Sequence, residues 1–461
     1  VRELDVPPTV LRRLAARDPQ QYPLLLDSAA AGPLSHTSLL LAAPSAALWL
    51  DRAGQLGARG VAPEGGGFLE ALENWWRRER SPVAEEEGAA GLISGGWALF
   101  LGYELAGEIE PNLALPVSPL PWRAFALRTH GAIVLDLSTG RVSAMAEDAA
   151  TLARLVADGF EAATEIGAGA SLRIERVLEE DAAAYLARVR RAKEYVRAGD
   201  IYQANLSRPW DVLLRAAHER GNHPQGARAG VAAVLYERLC AANPAPFAAL
   251  AQWQGISILS SSPERLVRVE GRDVDTRPIA GTRPRSRDPA REGDEMSELA
   301  AHPKERAEHI MLIDLERNDL GRVCEAGTVR VDELMTIESY QHVHHIVSNV
   351  SGRLRADVTP IGAARAVFPG GTITGCPKFR CMQIIAELEG EGRGAYTGSL
   401  GYLTRDGRLD LNILIRTMTL RGQELSFRAG AGIVADSDPE RELEETRAKA
   451  RGLLAALEEP R

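Results

Sequence analysis

Apolar runs that read as β-strands follow one another in the second half of the chain with only turns between them. Ile256-Ser257-Ile258-Leu259 and Leu266-Val267-Arg268-Val269 are joined through Ser-Pro-Glu, and the second runs into a turn at Glu270-Gly271. Leu411 to Thr419 and Ser426-Phe427-Arg428-Ala429 repeat the pattern. Strands joined by short turns pair antiparallel, so the sequence predicts an α/β or α+β chain built on large antiparallel sheets.

Helical spacing intervenes at a few places. Tyr185, Leu186, Val189, Ala192, Tyr195 and Val196 recur at helical intervals over 181–198, and Gly199-Asp200 stops the run. Pro303 opens a predicted helix over 303–316, Pro377 opens another to about Glu389, and 439–458 reads as a charged C-terminal helix. Residues 80–91 and 215–229 are polar and read as surface loops, and the Gly/Ala tract at 166–170 reads as a join between an N-terminal and a C-terminal portion. The expected division is 1–170 and 171–461.

Composition narrows the class. The 461 residues are 45% hydrophobic and 25% charged, which excludes wholesale disorder. A net charge of −9 argues against nucleic acid as a partner. Cys240, Cys324, Cys376 and Cys381 show no CxxC pairing, so reduced thiols in a cytoplasmic protein are expected. The most apolar stretch, Leu39 to Leu50, is short and broken by Pro44, so no membrane span is expected.

Two acidic pairs carry the first chemical signal. Glu305 and Glu308 lie three residues apart, as do Glu442 and Glu445, and Lys449 follows Glu445 by four, so each set shares one helix face. Such faces are either solvated or form a hard-cation site, because Mg2+ takes a few carboxylate oxygens and keeps water or substrate oxygens as its other ligands. The tract Phe368 to Lys378, with Gly370-Gly371-Thr372, allows close backbone approach to an anion at a helix start, or forms a plain turn capped by Thr374 or Gly375. Gly430-Ala431-Gly432 suits a flat ligand or tight sheet packing. Glu264 follows an apolar strand and would be a general acid if desolvated. His342, His344 and His345 sit in strand-like sequence whose alternation sends His345 to the opposite face from the other two, which argues against a structural zinc.

Taken in order, these segments resemble the chorismate-utilising enzymes: anthranilate synthase component I, aminodeoxychorismate synthase component I, and the isochorismate and salicylate synthases. The resemblance covers about 180–455 and is carried by Ile201-Tyr202-Gln203-Ala204-Asn205-Leu206-Ser207, Ser262-Pro263-Glu264, Pro278-Ile279-Ala280-Gly281-Thr282, Glu308 to Leu315, Arg317-Asn318-Asp319-Leu320, Gly370-Gly371-Thr372, Gly398 to Tyr402, Gly430-Ala431-Gly432 and Pro439 to Lys449. It implies an α+β fold of two large antiparallel β-sheets packed together with helices outside, the N-terminal part being interwoven.

The resemblance also implies roles. Glu305, Glu308, Glu442 and Glu445 match a Mg2+ cluster that holds the ring carboxylate of chorismate. Tyr396, Arg416, the amides from Gly430 to Gly432 through Ala431, and Lys449 match the groups that hold the enolpyruvyl and carboxylate parts, with Thr282 a further carboxylate contact. Glu264 matches the acid that protonates the departing ring hydroxyl, and His345 and Thr372 match residues lining the ring. Leu26, Asp27 and Ser28, with Pro244, Pro246 and Phe247, match a tryptophan pocket.

Gln203 stands where the water-adding relatives carry a lysine, leaving ammonia as the nucleophile. No glutaminase signature accompanies the motifs, so a glutamine amidotransferase subunit is the expected partner. Two products remain. Ala280, in place of the lysine of many aminodeoxychorismate synthases, points to anthranilate. Gly370 to Gly375, Gly398 to Leu403, Ile415-Arg416-Thr417 and Gly432 to Ser437 lean toward 4-amino-4-deoxychorismate, the precursor of 4-aminobenzoate and folate, and this is the product the sequence favours. Anthranilate synthase component I is the alternative, and a non-catalytic tryptophan-binding relative is the alternative of another class.

Overall fold

The structure is a computed structural model that describes residues 1–458 except 31, 33, 35, 82–92, 165–171, 217–223, 285–292, 294–302 and 340–342; the side chains of 216, 224–229, 282–284, 303–305 and 343 are also outside the description. Every pairing between its named strands is antiparallel, and they connect into one continuous hydrogen-bonded network. That network folds into two layers because two long strands, Thr37–Asp51 and Trp122–Asp136, belong to both.

Thr37–Asp51 passes from one sheet to the other. Its beginning pairs with Leu24–Asp27 and its end with Leu56–Arg59, and between them the register breaks from Pro44 to Ala46, where Ala43 takes φ 57°. Proline donates no amide to a ladder and is tolerated at such a bulge. Pro44, which interrupts the apolar run in the sequence, therefore marks the point where the strand leaves one sheet for the other.

The first sheet runs from Arg2–Leu4 through Val142–Ala146, the two shared strands, Leu24–Asp27, Phe247–Trp253, Ile256–Ser262, Thr417–Arg421, Glu424–Ile433 and Gln203–Ala216 to Leu172–Glu179. The second runs from the shared strands through Gly96–Leu101, Ser399–Leu403, Leu409–Asn412, Arg265–Glu270 and Asp273–Arg277 to Val343–Arg353. Strands from both halves of the sequence thus occur in both sheets, the N-terminal ones side by side and the C-terminal ones continuing from them.

Leu39, Leu41, Phe100, Phe125, Leu127, Ile258 and Leu400 pack in one buried cluster drawn from both sheets. Leu40 and Ala42, on the other face of the same strand, pack with helices Val10–Arg17, Pro224–Ala242 and Pro439–Ala455. Burial on both faces explains why the run is continuously apolar instead of alternating. Leu48, Trp97 and Leu99 form the outer core of the second sheet with helices Phe68–Glu79, Pro303–Gly321 and Pro360–Val367. The α+β expectation of two packed antiparallel sheets with outer helices holds.

Several local expectations need correction. The stretch from Leu411 to Thr419 is two strands, Leu409–Asn412 and Thr417–Arg421, separated by a break in which Arg416 adopts φ 52°. Residues 224–229, read as loop, open the helix Pro224–Ala242. The helix after the glycine loop starts at Lys378 with Pro377 as its N-cap, while the Thr374 hydroxyl bonds back to the Gly370 carbonyl at 2.9 Å. The polar tract at 82–91 and the Gly/Ala tract at 166–170 lie outside the described residues. Among the described residues no helix is long and apolar enough to cross a membrane.

Candidate functional site

One cavity, of about 230 Å3, collects most of the chemistry anticipated from sequence. Glu264, His345, Thr372, Tyr396, Arg416, Gly430, Gly432, Lys449, Glu308, Glu442 and Glu445 all line it. Segments far apart in the chain meet there because the break at 413–416, the turn at 263–264 and the end of Glu424–Ile433 lie side by side. The Ile413 amide donates to the Glu264 carbonyl at 3.0 Å, and the Ser261 amide donates to the Arg416 carbonyl at 3.1 Å.

Two predicted residues are placed only by their backbones. Thr282 pairs with His345 across adjoining strands and Glu305 lies on the helix Pro303–Gly321, but their side chains are outside the described ones. His342 is outside the description altogether. Ala431 does not line the cavity. Its side chain points to the opposite face of the strand, into a core with Tyr185, Val189 and Leu443, as alternation requires.

The glycines on either side of Ala431 have a steric reason. A Cβ on Gly430 would lie 2.7 Å from both the Asn205 Oδ1 and the Tyr396 hydroxyl, and one on Gly432 would lie 2.1 Å from the Gln203 Nε2. Glycine lets those three side chains close over the strand. Gln203, Asn205 and Arg428 also line the cavity. Asn205 and Arg428 were not singled out from sequence as site residues. Each sits two positions from one that was, Gln203 and Gly430, and period-two alternation was the signal available.

Electrostatics divides the cavity. At one end Glu264 is 3% exposed, and burial pushes its carboxyl up to about 8; the neighbouring Thr372 hydroxyl, the Ile279 amide at 3.4 Å and the Arg416 charge pull the other way, while Glu316 adds to the rise. Glu264 is therefore a protonated acid at neutral pH. Burial, and then the Arg416 charge, push His345 down to about 3, so its ring is neutral. Arg416 has no ion-pair partner among the described residues, and burial lowers its pKa from the usual value with only Glu264 countering. A half-buried guanidinium that faces a cavity without an ion-pair partner among the described residues is the arrangement that an anionic ligand completes.

At the other end stand Glu308 from one helix and Glu442 and Glu445 from another. Pro439–Ala455 starts with Pro at its first turn and with Asp438 accepting from the Arg441 amide at 3.0 Å, which fixes the helix so that both carboxylates and Lys449 face the cavity. Lys449 lies 2.7 Å from Glu445. Three carboxylates are suitable donors for a hard divalent cation. Among the described residues no group of three or more carboxylates, histidines or cysteines is placed to hold a metal ion by itself.

A second cavity, of about 300 Å3, is lined by Leu26, Asp27, Ser28, Pro246 and Phe247; Pro244 is not among its lining residues. Asp27 is engaged within the protein, by Arg12 at 2.8 Å and the Ser38 hydroxyl at 2.9 Å.

A family model described as chorismate binding enzyme matches residues 45–455. A protein of Synechocystis sp. named anthranilate synthase component I-like protein is 42% identical over 365 residues, which are 79% of this chain and 73% of that protein. Anthranilate synthase component 1 of Streptomyces coelicolor is 40% identical over 431 residues, 86% of this chain and 78% of that protein. The crystal structure of anthranilate synthase component I from Streptococcus pneumoniae superposes with a TM-score of 0.75 at 28% identity, covering 92% of this chain and 93% of that one.

Proposed function

This chain belongs to the chorismate binding enzymes, and we propose that it is the aminating component of an anthranilate synthase, converting chorismate and ammonia to anthranilate, pyruvate and water. The observation that carries the reading is that one cavity is lined both by the protonated Glu264 and by Arg416, which has no ion-pair partner among the described residues, and by the carboxylates Glu308, Glu442 and Glu445. A dicarboxylate with a poor leaving group is the ligand such a site suits. The choice of anthranilate over the 4-amino-4-deoxychorismate favoured by the loop sequences is supported by the names of the relatives, each similar over more than three quarters of this chain.

In this reading Arg416 grips the enolpyruvyl carboxylate through two parallel hydrogen bonds. The Glu264 carboxyl donates its proton to the ring hydroxyl at C4, which departs as water, and Glu264 is left as the carboxylate. Ammonia bonds to C2 while the ring double bonds shift. Loss of the C2 proton and departure of the enolpyruvyl group, which takes up a proton to become pyruvate, complete the aromatic ring. His345, neutral, and Thr372 line the ring, and Gln203 and Asn205 face the side that the glycines leave open.

Magnesium is the proposed cation, with Glu308, Glu442 and Glu445 as its holders together with Glu305; when bound it would draw electron density through the ring carboxylate. A separate glutamine amidotransferase subunit is the proposed ammonia source. The second cavity is proposed as a tryptophan site, which calorimetry with tryptophan tests, the absence of heat overturning it. The reading as a whole is tested by incubating the chain with chorismate, magnesium and ammonium and measuring pyruvate, whose absence would refute it.

A further inference from the structure

The Gly370-Gly371-Thr372 loop rests on the helix Pro303–Gly321 at glycine contact. A Cβ on Gly371 would fall 2.4 Å from a Leu315 methyl and 3.2 Å from Glu316 Oε1, and the Gly371 amide donates to that oxygen at 3.4 Å. Glu316 is 3% exposed, and its second oxygen, Oε2, is buried with no hydrogen-bond partner among the described residues.

The groups facing Glu316 come from every side. Asp319 lies on its own helix, Lys378 reaches over from the helix Lys378–Glu389 to pair with Asp319, Thr276 stands on the neighbouring strand, and Glu264 lies beyond the glycine loop. Burial and the Asp319 charge raise the Glu316 pKa, while Lys378, Thr276 and the Gly371 amide lower it. Arg416, Thr372 and the Ile279 amide draw Glu264 toward ionisation, and Glu316 opposes them.

We propose that Glu316 is a positioning residue for the general acid: its Oε1, answered by the Gly371 amide, fixes the Gly371-Thr372 backbone against Glu264, and a charge on this buried carboxyl opposes a second one on the buried Glu264 across that loop. Glu316 does not line the substrate cavity, so it acts through the loop and through space. The inference rests on the reading of Glu264 as the acid.

The test is the pH profile of ammonia-dependent chorismate turnover, corrected for the free ammonia present at each pH, in the wild type, Glu264→Gln, Glu316→Gln and Glu316→Ala. Glu316→Gln keeps the acceptor for Gly371 but not the charge. Its alkaline limb should fall by about one pH unit, with KM for chorismate within about twofold of wild type. Glu316→Ala also removes the acceptor and should lower kcat a further tenfold or so. A Glu316→Gln limb that stays in place overturns the electrostatic half, and equal kcat in the two Glu316 variants overturns the positioning half. Wild-type kcat in Glu264→Gln refutes the acid itself, a separate failure. Should the Glu316 variants not fold, a carboxyl 13C titration of the wild type must show two mutually dependent carboxyls titrating well above the ordinary range; a single one overturns the proposal.

Discussion

Lys449 donates from Nζ to the Gly430 carbonyl at 3.0 Å, tying the helix that bears Glu442 and Glu445 to the stretch of Glu424–Ile433 that has outrun its pairing with Thr417–Arg421. The contact sets the distance between the carboxylate end of the cavity and its glycine floor. Lys449 is 43% exposed, so its ion pair adds little to stability. Lys449→Met should raise KM for chorismate about tenfold while thermal unfolding moves by no more than about 1 kcal/mol, measured by steady-state kinetics and calorimetry. Unchanged KM would remove Lys449 from substrate binding.

Glu264→Gln should reduce kcat by roughly 100- to 10,000-fold with KM nearly unchanged, because the amide keeps the shape and loses the proton. In the wild type kcat/KM, corrected for free ammonia, should fall as pH rises through about 8, where the buried carboxyl ionises. An acid limb near the ordinary carboxylate range would mean that Glu264 acts as a charged group instead.

Beneath Tyr396 lies a buried ionic brace. Glu389 is enclosed by Arg393 at 2.6 Å, Arg428 at 3.2 Å and the Ser207 amide at 2.8 Å, and the Arg393 guanidinium stacks over the rings of Tyr103 and Tyr396. Burial alone would raise the Glu389 pKa, but the two guanidinium groups and the hydrogen bonds outweigh it and hold the carboxyl at about 2. Glu389→Gln leaves Arg393 buried without its counter-ion and should destabilise the fold by about 3–5 kcal/mol. The folded-state pKa lies below the unfolded one, so the stabilisation is complete above about 4.5 and is lost as pH falls toward about 2, on the order of 3 kcal/mol in all. Denaturant titrations across that window should show this acid loss in the wild type and not in the variant.

How much of this could be read from sequence depends on how local the cause was. Glu442, Glu445 and Lys449 share a face by helical spacing alone, and His345 points away from His344 by strand alternation, so both were legible. Arg416 was legible only through resemblance: the break that turns it into the cavity is a positive φ inside what reads as one apolar strand. Glu316 carries no signal in the sequence, because its significance comes from Gly371 and Lys378, which reach it from 55 and 62 positions away. Pro44 was read correctly as a break and not as what it is, the point where one strand passes between two sheets.

If Glu308, Glu442 and Glu445 hold the cation, chelation should abolish turnover and added magnesium should restore it. Glu308→Gln should then require about tenfold more magnesium for half-maximal rate, since one anionic ligand has been lost. Magnesium titrations of turnover decide this, and an unchanged requirement would remove Glu308 from the set.

The product tests the account most directly. The chain is incubated with chorismate, magnesium and ammonium, with and without an aminodeoxychorismate lyase, and the products are followed by anthranilate fluorescence and by pyruvate. The account predicts anthranilate and pyruvate in equal amounts without the lyase. Accumulation of an aminated chorismate that yields 4-aminobenzoate only when the lyase is added would contradict it.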